Sequence, residues 1–114
     1  MMHLTIYAAP SLHGKQSQAR RDLLDSCRAA LMGRTFARVL HNVTISFRGD
    51  WFWPNGKPRE RNADNVFKLL ADCLAEAGDL GKRGRGDQHL TNGNVSWSVE
   101  QSDIEIIEIT ITPQ

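Results

Sequence analysis

No apolar run in this sequence approaches membrane-spanning length, and its start carries no signal-peptide pattern, so it reads as a cytoplasmic protein with no membrane partner. Cysteine is scarce. Cys27 and Cys73 both fall in predicted helices and neither has metal-ligand spacing to a partner, which argues for buried thiols rather than a disulfide or a zinc site. Internal repeats, low-complexity tracts and a Walker-type glycine loop are all missing, so solenoid architectures and phosphate binding by that loop are set aside. A net charge of only +1 does not announce a nucleic-acid binder.

What is present is ordinary in amount and informative in arrangement. With 114 residues, 40% hydrophobic and 24% charged, the chain is expected to form one domain over residues 1–114 with a modest core. Residues 1–68 hold 11 Lys/Arg against 5 Asp/Glu, whereas residues 69–114 hold 3 against 8. Such asymmetry points to a basic surface fed by the N-terminal part, unless folding interleaves the two halves.

The stretch Arg59–Gly78 organises the rest. Val66, Leu70, Cys73 and Ala77 recur at three- and four-residue spacing, with Phe67 and Leu74 widening the stripe, and Asp64, Lys68, Asp72 and Glu76 form an opposite polar ridge. Gly78 stands where a left-handed helix stop is expected. Asn62 and Asp64 suit the helix start, because their oxygens accept from free backbone N–H groups. Capping is the commoner use of such residues. Yet Asn62, Asp64 and Asn65 crowd together after Arg59 and Arg61, with Lys68 one turn on, and this mixture also suits a divalent cation beside a phosphate.

Along the rest of the chain, residues 2–8 alternate as a strand, and Pro10–Gly14 reads as a loop carrying His13 and Lys15, with His13 a candidate phosphate or catalytic contact. Ser17 is placed to cap a helix running to about Met32, with Gly33 as its stop. Residues 42–48 form a half-buried strand, and Asp50 leads into Trp51-Phe52-Trp53-Pro54-Asn55-Gly56-Lys57-Pro58, an aromatic cluster ending in a turn or hairpin tip. Beside Lys57, Arg59 and Arg61 these aromatics suit stacking on unpaired bases, although covering the sheet or a subunit interface is the commoner use. Gly78 to Asp87 reads as a flexible cationic loop, in which Lys82, Arg83 and Arg85 suit a phosphate backbone. Residues 94–100 alternate again. Asp103–Thr112 is a last strand whose phase slip predicts a β-bulge near Ile106–Ile107. The sum is an α+β domain with a small mixed sheet and two main helices.

The run Asn62-Ala63-Asp64-Asn65-Val66-Phe67-Lys68, the alanine- and leucine-rich helix after it, and Asp87-Gln88-His89-Leu90 before the closing strands together resemble the RusA-type Holliday-junction resolvases. That family carries Asp-x-Asp-Asn-x-x-Lys, then a second acidic position shortly after the helix, and the likeness covers about residues 43–112. It implies a homodimer that binds branched DNA, the four-way junction of recombination and repair, and cuts it with Mg²⁺ or Mn²⁺ in a bacterial or phage-infected cell. Carried over by position, the catalytic set is Asn62, Asp64, Lys68 and Asp87, with Asn62, Asp64 and Asp87 at the metal. Asn62 replaces the family's first catalytic aspartate, and Gly86 stands where the family often has another acid. Either the chain is impaired, or Glu60 or Asp50 substitutes, or aspartate was changed to asparagine to trap an inactive form. A catalytically inactive junction-binding protein is the alternative reading.

Overall fold

The last strand of the chain is the centre of the sheet. In the computed structural model, which describes residues 1–7 and 16–114, β4 (Ile106–Pro113) pairs antiparallel with β1 (Met2–Ile6) on one side and with β2 (His41–Gly49) on the other. Strand β3 (Val95–Gln101) runs parallel to β2 at the outer edge, giving the order β1-β4-β2-β3. The expected α+β domain with a small mixed sheet is therefore what forms. The loop at Pro10–Gly14, with His13, and Lys15 and the side chain of Ser17 lie outside the described residues.

Alternation puts Val43, Ile45 and Phe47 of β2 and Ile107, Ile109 and Ile111 of β4 into the core, where α1 (Gln16–Leu31) and α2 (Ala63–Ala77) cover them. The other face of the sheet carries His3, Thr5, Thr44, Ser46, Ser98, Glu108 and Thr110, most of them exposed or half-buried hydroxyl residues. No bulge interrupts β4. Its pairing with β2 is continuous from His41↔Pro113 to Arg48↔Ile106. Ile104 precedes the strand and is 61% exposed, so the phase slip marks where the strand begins.

The two helices meet through small residues. Ala71 and Ala75 of α2 are fully buried, and the Cys73 thiol approaches the Arg20 carbonyl of α1 at 3.7 Å. Arg20 bridges Asp72 at 3.1 Å and Glu76 at 3.5 Å, and Arg28 reaches Glu76 at 3.8 Å. Burial opposes the charge on Arg20, but Asp72 and Glu76 outweigh it and hold the guanidinium above its ordinary value. Burial also pushes the Cys73 thiol up to about 11, and the deeper Cys27 thiol further still. Helix α2 ends differently from expectation. Gly78 has φ −94° and the left-handed residue is Asp79, at φ 63°. Glycine is needed at 78 because a Cβ there would collide with the Phe36 ring.

Candidate nucleic-acid interface

Chain direction sets the geometry of the site. β2 leaves the sheet at Gly49, α2 runs back antiparallel to it, and β3 starts again beside the beginning of β2, so α2 spans the sheet from one end to the other. The segment that leads directly into α2 lies at one end of the molecule, and the segment that leads directly out of it lies at the other.

Residues 50–61 form the first end. The Trp53 N–H donates to the Lys57 carbonyl and the Gly56 N–H to the Trp53 carbonyl, both at 2.8 Å, and Gly56 takes φ 84°, so the expected hairpin tip is present. Trp51 is only 4% exposed, with its ring 5.7 Å from Phe47, so it covers the sheet end. Trp53 is 49% exposed beneath the Arg59 guanidinium, 3.7 Å above its ring. Arg59 also approaches Asp50 at 3.0 Å, as an ion contact that leaves its Nε–H without an aligned acceptor. Lys57 at the tip is exposed, and its ammonium has no partner among the described residues.

Arg61, expected beside the aromatics at DNA, is otherwise engaged. It donates to both Glu105 oxygens at 2.8 and 2.9 Å and lies 4.0 Å over the Trp51 ring. Gln101 holds the same segment from β3. Its Oε1 accepts from the Trp51 and Phe52 N–H groups at 3.0 and 2.7 Å, and its Nε2 donates to Asp50 at 3.0 Å. Neither Glu105 nor Gln101 carries a local sequence signal, because each meets its partners only after β3 and β4 have come alongside β2.

At the first turn of α2, Asn62 occupies the capping position in extended backbone, φ −104° and ψ 118°, but its side chain makes no capping hydrogen bond. Asp64, Asn65 and Lys68 are exposed, and no side-chain hydrogen bond or ion pair engages them among the described residues. The capping reading therefore lacks the bond that defines it. Further along the polar ridge, Asp72 and Glu76 are taken up by α1, so only its first half faces solvent unpaired.

The far end holds the glycine-rich segment. The Leu80 N–H donates to the Ala75 carbonyl at 2.8 Å. Gly86 sits against the Leu80 carbonyl and Gly81 against the Arg85 carbonyl, so closely that neither position has room for a Cβ. The expected cationic loop is thus closed at its neck, and it presents Lys82, Arg83 and Arg85 to solvent. Asp87 follows directly, at the start of the single-turn α3 (Gln88–Thr91), and its side chain makes no capping bond.

Asp87 is thereby tied through Gly86 and Leu80 to Ala75, about 16 Å along the helix from Asp64 at the standard rise per residue. No group of three His, Cys, Asp or Glu side chains able to hold a metal ion occurs among the described residues. Of the expected Asn62/Asp64/Asp87 metal set, Asn62 and Asp64 share the start of α2 with Lys68, while Asp87 follows the loop that leaves its end. The cations divide likewise, Lys57 and Arg59 at one end and Lys82, Arg83 and Arg85 at the other.

The charge asymmetry of the sequence is largely internal. Arg20 and Arg28 meet Asp72 and Glu76, Arg48 meets Glu100 and Glu108, and Arg61 meets Glu105, each pairing a basic residue of the first part with an acidic one of the second. Among the described residues no helix is long and apolar enough to cross a membrane. The sequence matches no protein-family model and has no significant relative among curated proteins.

Proposed function

We propose that this chain is a structure-selective endodeoxyribonuclease of the RusA kind, a homodimer that uses Mg²⁺ to resolve four-way DNA junctions in recombination and repair, in the cytoplasm of a bacterial or phage-infected cell. The observation that carries this reading is the first turn of α2. Asp64 and Lys68 stand one turn apart, exposed and unpaired among the described residues, after an Asn62 whose side chain does not cap. A carboxylate and an ammonium left free at an electropositive helix start suit a phosphodiester better than they suit the fold.

Mg²⁺ is commonly held by one or two carboxylates together with waters and substrate phosphates. Asp64 with the Asn62 oxygen fits such a partial set, Mn²⁺ takes similar ligands, and the bound ion would supply an activated water and positive charge at the phosphate. Lys68 brings a second positive charge to the same phosphate, where charge develops as the bond breaks. Lys57, Arg59 and the exposed face of Trp53 hold DNA at one end of the molecule, and Lys82, Arg83 and Arg85 at the other.

Asn62 favours a second reading, junction binding without cutting, since an amide lacks the charge of the carboxylate it replaces. A labelled four-way junction incubated with Mg²⁺ or Mn²⁺, with the unaltered chain and with Asn62→Asp, decides between them. Cleavage by either protein supports the nuclease. Tight, salt-sensitive junction binding with no cleavage by either supports the second reading. Equal weak affinity for junction and linear duplex rejects both and leaves a small interaction domain.

A further inference from the structure

We propose that two copies of this chain pair through β3, edge to edge and antiparallel about Trp97, so that two four-stranded sheets become one continuous sheet. The inference gives the homodimer proposed above its interface and is tested on protein alone, so its failure and the failure of the nuclease reading are separate results.

β3 is the outermost strand, and the direction of its free backbone groups follows from one hydrogen bond. The Val43 N–H donates to the Asn94 carbonyl at 2.8 Å. With Val43 paired to Val95 in a parallel ladder, the groups of Asn94, Ser96 and Ser98 point toward β2. Those of Val95, Trp97 and Val99 therefore point away from the sheet, and no backbone partner meets them among the described residues.

Among the described residues nothing guards this edge. It has no proline, no lysine and no bulge, and its one charged residue, Glu100, lies 3.4 Å from Arg48 of the neighbouring strand. Natural sheets usually protect an edge of this length with one of those devices.

The edge also matches itself. Val95-Ser96-Trp97-Ser98-Val99 reads the same in both directions. A twofold axis at Trp97 therefore sets Val95 opposite Val99, Ser96 opposite Ser98, and Trp97 opposite its own copy, as an isologous contact requires. The outward groups of Val95, Trp97 and Val99 then fall in the hydrogen-bonded positions of an antiparallel ladder, and Glu100 faces the neutral Asn94. Trp97 is 43% exposed, with its ring 5.5 Å from Phe67, and a second Trp97 on the same face covers much of what remains open.

The experiment uses the exposed serines, whose replacement leaves the core untouched. In this register Ser96 and the Ser98 of the other copy form a non-hydrogen-bonded pair, with Cα atoms about 4.5 Å apart, within disulfide reach. Each serine meets its own copy only diagonally, at about 7–8 Å, beyond that reach. The native Cys27 and Cys73 are fully buried and stay silent. Under mild oxidation the Ser96→Cys/Ser98→Cys double variant is expected to run as a covalent dimer on a non-reducing gel, while either single variant stays monomeric on the gel. The unaltered chain is expected to sediment at twice the monomer mass. Sedimentation as a monomer throughout the micromolar range, or cross-linking equally strong in the single variants, overturns the proposal.

Discussion

Arg61 grips Glu105 by both carboxylate oxygens, at 2.8 and 2.9 Å, across 44 residues of sequence. The pair joins the segment that enters α2 to the segment that enters β4. It thereby fixes where the first turn of α2, with Asp64 and Lys68, stands relative to the sheet.

Breaking this pair should loosen that end of the molecule. Both side chains are less than one-third exposed. Arg61→Ala or Glu105→Ala is expected to cost about 2 kcal/mol in urea unfolding, the range for hydrogen bonds to charged groups. Arg61→Lys recovers only part of this, since an ammonium cannot match both oxygens. The salt dependence of junction binding should not change in Arg61→Ala, because this guanidinium is committed to Glu105.

The start of α2 should answer to chemistry rather than to stability. Asn62→Ala is expected to cost less than about 0.5 kcal/mol, where a bonded cap ordinarily contributes about 1 kcal/mol. Under the nuclease reading, Asp64→Asn abolishes cleavage while junction affinity survives, and Lys68→Ala slows cutting more than it weakens binding. Urea unfolding checks the first, and gel-based cleavage and binding assays, with circular dichroism to verify folding, check the other two.

The closed loop separates charge from architecture. Replacing Lys82, Arg83 and Arg85 together with alanine should leave stability nearly unchanged, since their side chains are exposed and unpaired among the described residues. It should make the plot of log affinity against log salt shallower by up to about 2.7, at about 0.9 for each lost duplex phosphate contact. Gly86→Ala does the opposite. Its Cβ runs into the Leu80 carbonyl, so the loop must open and the melting temperature falls.

High pH should unfold the domain through its thiols. Both folded-state values lie above the ordinary 9.0, Cys73 at about 11 and Cys27 higher. Their stabilising contribution is thus complete below pH 9 and is lost as pH rises through the folded values. Once the unfolded thiols ionise, each costs about 1.4 kcal/mol per pH unit. Urea midpoints between pH 8 and pH 11 should fall accordingly, and Cys73→Ala should flatten the curve near its upper end.

The periodicity of α2, the alternation of β2 and the hairpin tip around Gly56 are all legible in the sequence, because each depends on neighbours a few residues away. What was not legible depends on partners forty or more residues off, or on direction. The order of residues places Asp64 and Asp87 on either side of one helix, but only the course of α2 along the sheet shows that the helix separates them. Arg61 resembles a free cation until Glu105 is found beside it. Gly78 looks like a left-handed stop, yet its small size serves Phe36 and the turn falls on Asp79. The basic character of residues 1–68 is largely cancelled by acids that folding brings across from the second part of the chain.

Because β4 lies between β1 and β2, the sheet has no middle until Ile106–Pro113 has left the ribosome. Until then β1 has no neighbouring strand to join, and the apolar faces of β2 and α2 wait uncovered. Folding of this domain therefore waits for β4 to emerge, and the nascent chain is at its stickiest just before that strand closes the gap.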